Sequence, residues 1–207
     1  MLSDVGQWTS VLRDVLLGAA AAATAFFAYL GLSTWRRELK GKSEYQLAKD
    51  VLKAVYKVRE AFKFVRNLLI YSYEYPDDMK DPHGHLKREY EYEGTAHVYQ
   101  ERWKKVAEAF QELEDLHLDA QVEWGPEYQD VIRKLRSCLV DLQIAIQTML
   151  ERKKDPRMGE LTDAEKLEEE RSVLYNLGGG SKHDKFTPEI AEAIGEFEKW
   201  LRPKIKR

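Results

Sequence analysis

Residues 13–42 read RDVLLGAAAAATAFFAYLGLSTWRRELKGK, and the uncharged centre of this stretch decides the fold. Val15 to Thr34 is a run of twenty residues without Asp, Glu, Lys or Arg. A helix of about 20 apolar residues crosses a bilayer hydrocarbon core roughly 30 Å thick. The run has no polar stripe, which a helix in the core of a soluble bundle would carry. The sequence therefore predicts a transmembrane helix over about residues 14–35.

Two alternatives for this run are a cleavable signal peptide and a buried helix of a soluble bundle. A signal peptide begins with a positively charged segment, whereas the residues ahead of the run include Asp4, Arg13 and Asp14. The apolar run also continues through Phe26 to Leu32, beyond the small residues at which cleavage would occur. We therefore expect an uncleaved membrane anchor.

The residues on either side of the predicted span suit a membrane interface and indicate its orientation. Tryptophan settles at the bilayer–water interface, and Lys and Arg are enriched in short cytoplasmic segments. Arg13 is the one basic residue ahead of the span, whereas five follow it within residues 36–49. This bias predicts a single-pass protein of the cell inner membrane, with residues 1–35 as external N-terminus and span, and residues 36–207 in the cytoplasm. The predicted membrane-interface residues are Trp8, Trp35, Arg36, Arg37, Lys40 and Lys42.

Charge is distributed unevenly along the chain. Residues 36–75 contain ten Lys and Arg against five Asp and Glu, a net charge of +5. Residues 76–207 contain 22 basic and 29 acidic side chains, a net charge of −7. A basic segment directly after an apolar span favours a bilayer with anionic lipids as a partner, and an acidic body argues against nucleic acid. Cys138 is the only cysteine, so no disulfide forms within this sequence.

After the span, the spacing of apolar residues predicts a helical bundle over residues 36–207. Gly41 is expected to be a joint, and Ser43 with Gln46 forms a capping box that would start a helix over about 43–71. One face of this helix is apolar and would enter the core. The opposite face fits either the solvated side of a bundle helix or a surface lying on the inner leaflet. It contains Lys49, Lys53, Lys57, Arg59, Lys63 and Arg66.

The next two predicted helices, over about 95–123 and 126–153, carry apolar residues at alternating steps of three and four. Pro126 suits the first turn of the second helix, directly after Gly125. Two heptad-like helices with so short a joint predict an antiparallel αα-hairpin within the bundle. The residues predicted to pack in this hairpin are Tyr99, Trp103, Val106, Phe110, Leu113, Tyr128, Val131, Leu135, Leu142 and Met149.

Two shorter helices complete the prediction. Thr162 and Glu165 form a capping box for a helix over about 162–177, and a helix over about 188–201 would end at Pro203. The expected fold class is therefore all-α, with one N-terminal transmembrane helix followed by a cytoplasmic helical bundle.

Candidate chemical sites are few. Residues 77–85 carry Asp and His at close spacing, but a loop with Pro and Gly does not fix ligand geometry by itself, so a solvated loop is expected. The Gly-rich residues 178–182 lack the spacing of a phosphate-binding loop and are expected to be a connector. His117 lies on the apolar stripe and is interpreted as a core residue. With Glu114 it forms a single Glu-x-x-His pair, where a di-metal bundle site needs two. The sequence predicts no catalytic, cofactor-binding or metal site, and no enzyme.

The combination of segments resembles a known group. The span runs into LSTWRRELKGKSEYQLAKDVLKAVYKVREAFKFVRN (residues 32–67), and FEKWLRP follows near the end of the sequence (residues 197–203). This resembles uncharacterised bacterial membrane proteins with an N-terminal span, a W-R-x-E-L-x-G junction and a helical cytoplasmic part. The resemblance is clearest over residues 30–67 and 186–203. It implies the topology and a bacterial inner-membrane setting, and it implies no activity.

These features favour a membrane-anchored helical interaction or scaffold protein that docks a partner or self-associates at the inner membrane. One alternative is a membrane effector or pore-type subunit acting through oligomerised spans, because Gly18 and Ala22 allow close helix approach. A second alternative is a ligand sensor or enzyme that uses the loops 72–95 or 178–186. The expected partners are the bilayer and either a second protein or further copies of this chain.

Overall fold

The computed structural model describes residues 2–155, 157, 163–176 and 183–206, with side chains described from residue 16 onward. Within these residues the chain is all-helical, as the sequence predicted, and no β-strand occurs. The described chain divides between Tyr45 and Gln46 into two compact units. The α-helices are α1 (Leu2–Val65), α2 (Glu91–Trp124), α3 (Arg133–Lys154), α4 (Ala164–Leu174) and α5 (Phe186–Ile205).

Helix α1 runs without a break through Gly41 and Ser43, so the predicted joint and the predicted helix start at these residues are wrong. One glycine costs a helix only about 1 kcal/mol relative to alanine, and good helix formers surround Gly41. The helix ends at Val65, six residues before the predicted end at Tyr71. Directly after this end, the carbonyl of Arg66 accepts a hydrogen bond at 2.9 Å from the distant Asn176 N–H.

In the first unit, almost none of the α1 side chains that the structure describes is covered by protein. Between Leu16 and Ser43, Ser33 is half-buried and every other side chain is exposed. By length and composition, α1 is long and apolar enough to cross a membrane, and none of its most apolar window is buried. The large exposed apolar side chains are Leu16, Leu17, Phe26, Phe27, Tyr29, Leu30, Leu32, Trp35 and Leu39.

In the second unit, α1 contributes a buried stripe to the hydrophobic core. The rings of Phe62 in α1 and Phe110 in α2 lie 6.4 Å apart between centroids. Helix α3 packs against α2, α4 and α5, so it lies at the centre of this unit. The α1 residues buried in the core are Ala48, Val51, Ala54, Val55, Val58, Ala61, Phe62 and Val65.

Helices α2 and α3 bury the residues predicted to pack between them. Nine of the ten are buried in the core, and Trp103 is half-buried against it. Two ion pairs join the helices: Arg136 Nε lies 2.7 Å from Glu114 Oε1, and Lys153 Nζ lies 2.8 Å from Glu91 Oε1. These pairs connect the start of each helix to the later part of the other.

The bounds of the later helices differ from the prediction. Helix α2 begins at Glu91 rather than at residue 95, and α3 begins at Arg133 because Pro126–Tyr128 forms a 3-10 turn first. Helix α4 is shorter than predicted, and Thr162 lies outside the described residues. Helix α5 passes Pro203 and ends at Ile205, so the predicted stop is wrong. A proline in the last turn removes only one N–H from the ladder.

Arg66 lies inside the second unit and not on a solvated basic face, so its predicted exposure is wrong. Its side chain is 2% exposed and its ion pair with Asp184 is 3.0 Å long. Burial alone would raise the pKa of Asp184, but hydrogen bonds from Thr187 and Arg66 lower it overall. Arg66 thereby joins the end of α1 to the segment between α4 and α5. Its guanidinium donates to Val173 O, Ser172 O, Tyr175 O, Thr187 Oγ1 and Asp184 Oδ1.

Candidate docking cleft and membrane anchor

Residues 67–90, between α1 and α2, form a folded segment that we call the strap. The sequence predicted a solvated loop over residues 77–85, where both histidines are exposed, but the backbone of the segment is ordered. Three 3-10 turns and a bridge between Lys80 and Leu86 order the backbone. At its tip, Asp81 N–H donates to His85 O at 2.8 Å, and Gly84 adopts a φ of 83° that favours glycine. The strap therefore has a defined backbone conformation.

Arg102 of α2 holds the start of the strap. Its Nε and Nη2 donate to the two carboxylate oxygens of Glu74 at 2.7 and 2.8 Å. Its Nη1 and Nη2 also donate to the carbonyls of Asn67 and Leu69, each at 2.7 Å. The Arg102 side chain is 2% exposed, and its hydrogen bonds hold the pKa of Glu74 below its ordinary value. Bidentate pairs of this kind fix geometry as well as adding stability.

Two further contacts fix the rest of the strap. Leu86 lies so close to Gly94 of α2 that a Cβ on this glycine would be 2.6 Å from Leu86 Cδ1. The hydroxyl of Ser72 donates to Gly84 O, which ties the first turn to the tip. The strap is thus attached to α2 at its beginning and again near its end.

The strap and the end of α1 display large apolar side chains to solvent. Tyr71 and Tyr73 stack with their ring centroids 5.5 Å apart. Large exposed apolar surfaces on a folded protein mark interaction sites more often than single exposed residues do. We call this surface the apolar patch, and its members are Phe64, Leu68, Leu69, Tyr71 and Tyr73, with exposed fractions of 37%, 55%, 60%, 46% and 78%.

Beside the apolar patch lies a cleft with a cavity volume of about 530 Å³. Phe64, Tyr73 and Val98 form its apolar wall. Lys105 Nζ lies 3.9 Å from the centroid of the Phe64 ring, in a cation–π contact. The polar lining consists of Glu74, His97, Glu101, Arg102 and Lys105.

Sequence reasoning missed Arg102, although the spacing contains a signal for it. Val98, Arg102 and Val106 are four residues apart, which places all three on one face of α2, and all three are buried. An arginine at a core position of an apolar stripe indicates a specific set of buried partners. The predicted stripe instead passed through the neighbouring Trp103.

The predicted membrane-interface and span-association residues lie in the first unit. Trp35 is 59% exposed, and the four basic residues at 36, 37, 40 and 42 are exposed as well. Trp8 lies in α1, and its side chain is outside the described part of the chain. Gly18 and Ala22 are exposed, and a Cβ at Gly18 would meet no atom within 4 Å. Among these residues, the structure places those whose side chains it describes on an uncovered helix surface.

The loops that the sequence singled out for metal or phosphate offer no assembled site. Asp81 Oδ1 accepts the backbone N–H groups of His83 and His85, each at 2.9 Å, and so shapes the turn. Among the described residues, no group of three or more His, Cys, Asp and Glu side chains is placed to hold a metal ion. The Gly-rich residues 178–182 lie outside the described residues.

His117 is a fully buried member of an aromatic cluster. Its ring centroid lies 5.0 Å from that of Tyr128, which in turn contacts Trp124 and Trp200. Burial lowers the pKa of His117, so the neutral ring is favoured. Glu114 pairs with Arg136 rather than joining His117 in a metal site. His117 therefore has a role in the core.

Comparisons with known proteins do not assign this chain to a group. No family model, no curated protein and no solved structure matches it. The resemblance of residues 30–67 and 186–203 to uncharacterised bacterial membrane proteins stays a prediction. The features that bear on function are therefore the uncovered apolar half of α1, the apolar patch and the cleft.

Proposed function

We propose that this protein is a membrane-anchored helical interaction protein that docks a partner protein through the apolar patch and the adjoining cleft. The observation that carries the proposal is the combination of an exposed apolar surface with a buried arginine that holds it in place. Arg102 fixes the carbonyls of Asn67 and Leu69, which are the backbone beside the patch. A surface held in this way is ready to bind a partner without further ordering.

The energetics favour a covered patch. Removing apolar surface from water is worth about 25 cal/mol per Å². A partner that covered Leu68, Leu69 and Tyr73 would gain this term, since these side chains are more than half exposed. The backbone beneath them is already ordered by hydrogen bonds, so binding would not require the strap to fold first. Aromatic residues such as tyrosine are also enriched at the centres of protein interfaces.

The anchor in this proposal is the apolar part of α1. It crosses the inner membrane once, with the N-terminus outside and the remaining chain in the cytoplasm, and the basic residues after the span contact anionic lipids. The body is a helical bundle with α2 and α3 as an antiparallel hairpin. The two ion pairs between α2 and α3 support this arrangement.

The docking proposal is tested by site-specific photo-cross-linking in the native cell. A benzophenone amino acid replaces Tyr73 in the patch or, as a control, Val122, which is 88% exposed on α2. We expect a discrete cross-linked product from position 73 and none from position 122. The absence of a product at 73, or the same product at both positions, would overturn the docking function.

A second candidate function is a membrane effector whose spans oligomerise. The observation in its favour is that Gly18 and Ala22 lie on one uncovered face of α1, with room for close approach of another helix. Under this function, Gly18→Leu should abolish cross-linked oligomers in membranes. Ala20→Leu is the matched control because residue 20 lies on the opposite face of the helix. Equal cross-linking in both variants would argue against oligomerised spans.

A further inference from the structure

We propose that the cleft binds an acidic segment of the partner protein, with one apolar side chain against Phe64 and Val98 and one carboxylate on Lys105. This inference rests on the proposed docking function and specifies the chemistry of the partner. It follows from three features of the cleft: its apolar wall, the ion pairs that its own carboxylates already form, and Lys105, which forms no ion pair among the described residues.

The apolar wall suits a single large side chain. Phe64 is 37% exposed and Tyr73 is 78% exposed, so both rings present apolar surface, and the buried Val98 of α2 also lines the cleft. The cavity volume of about 530 Å³ falls within the range of roughly 300–1,000 Å³ typical of ligand pockets. That volume accepts a leucine or phenylalanine side chain together with part of its backbone.

Both carboxylates of the cleft already have cationic partners. Glu74 accepts two hydrogen bonds from Arg102 and a third from Tyr71 N–H at 2.9 Å. Glu101 pairs with Lys104, which lies three residues further along α2. Neither carboxylate is therefore available to a basic ligand without the loss of an existing ion pair.

Lys105 lies near enough to Glu74 for its charge to lower the pKa of that carboxyl, but among the described residues it forms neither an ion pair nor a hydrogen bond. Its described contact is with the face of the Phe64 ring, at 3.9 Å from Nζ to the centroid. An ammonium group has three donors, and a cation–π contact leaves them free for a carboxylate. The side chain is exposed, and His97 lines the same cleft. The available charge is thus positive and lies beside the apolar wall.

An acidic peptide fits these features better than an anionic lipid surface. Binding to a charged bilayer relies on several Lys and Arg side chains, each worth about 1 kcal/mol. Of the two side chains of Lys or Arg type that line the cleft, Arg102 is buried and Lys105 is exposed, so the cleft offers one accessible cation rather than several. A single carboxylate next to a single apolar side chain matches this arrangement.

The test selects peptides on the full chain in nanodiscs of zwitterionic lipid. A random twelve-residue display library is panned on the wild-type protein, with removal of binders to the Phe64→Ser variant. We expect selected peptides to combine Asp or Glu with a neighbouring Leu, Ile, Phe or Trp. The affinity of the best peptide should fall by about tenfold or more in Lys105→Glu and by less than about threefold in the control Lys53→Glu, an exposed lysine of α1 that does not line the cleft.

Each contrary outcome identifies what fails. Selection without acidic residues, equal effects of Lys53→Glu and Lys105→Glu, or no enrichment over the Phe64→Ser variant would overturn the acidic-segment inference. Lys105-dependent capture of the nanodiscs by vesicles of anionic lipid would also overturn it, because the site would then recognise a lipid headgroup. The docking function itself is overturned separately, by the lack of a cross-link at Tyr73 in the native cell.

Discussion

Along α1, the exposed positions carry opposite kinds of side chain in the two units. Between Leu16 and Trp35 the large exposed residues are Leu, Phe, Tyr and Trp, and no charge occurs up to Thr34. Between Gln46 and Val65 the exposed positions are Lys49, Lys53, Lys57, Glu60 and Lys63, together with Gln46 and Phe64.

This difference shows how exposure and composition together report the surroundings of a helix. Exposed charged residues indicate water, whereas a helix with apolar residues on all sides and no protein cover suits a bilayer. Phe64 departs from the charged pattern in the second unit, and it is the residue that forms the wall of the cleft. Substitutions in each half of α1 therefore test whether that half lies in a bilayer or in a folded unit surrounded by water.

The largest effect is expected at the buried end of α1. Arg66→Met should lower the free energy of unfolding by about 3–5 kcal/mol, because Asp184 would be left buried without its cation. The measurement is chemical denaturation of the full chain in mild detergent. The matched control is Lys63→Met, an exposed lysine in the same turn, which should change stability by less than about 0.5 kcal/mol. Similar losses in both variants would contradict the role of Arg66.

The next effect concerns the uncovered half of α1. Ala22→Arg should make membrane insertion less favourable by about 2.5–3.5 kcal/mol, because a charge at the centre of a span is costly. The measurement is the fraction of protein that resists alkaline extraction from membranes. Gln46→Arg, at an exposed position of the second unit, should leave this fraction unchanged. Equal fractions in the two variants would argue against a membrane span in this half of α1.

A smaller effect is expected at the strap. Arg102→Met removes two hydrogen bonds to Glu74 and two to backbone carbonyls, and should cost about 2 kcal/mol. Hydrogen exchange should become faster across residues 67–80, where the lost bonds ordered the backbone. Lys105→Met, one turn further along the exposed side of α2, should leave exchange in this segment unchanged. Unchanged exchange in Arg102→Met would contradict the role of Arg102 in ordering the strap.

The smallest effect is a pH dependence from His117. Because burial lowers its folded-state pKa, the unfolded chain binds a proton at higher pH than the folded chain. The free energy of unfolding should therefore fall as pH drops below about 6.5. Between pH 7.5 and 5.5 the wild type should lose more stability than His117→Gln. The control variant His83→Gln, in the exposed turn, should lose as much stability as the wild type. Equal losses in the wild type and His117→Gln would contradict this account of the buried ring.

Periodicity predicted the helices well where apolar residues repeat, and less well where single residues decide. The stripes of α2 and α3 follow from spacing because burial of one face dominates the packing of long helices. The continuous helix at Gly41 was not predicted, since the small local cost of glycine was taken as a break. The burial of Arg66 and Arg102 was not predicted, since a charged side chain reads as solvated until its distant partners are known. Glu74 and Asp184, which are remote in sequence, supply those partners only in the fold.

The most direct test of the membrane span is photolabelling from within the bilayer. The full chain in native membranes is treated with a lipid-soluble diazirine, irradiated and digested, and the modified peptides are identified by mass spectrometry. We expect label between residues 16 and 35 and none between 48 and 65, although both segments belong to α1. Equal labelling of the two segments, or no label between 16 and 35, would contradict the assignment of this half of the helix to the membrane.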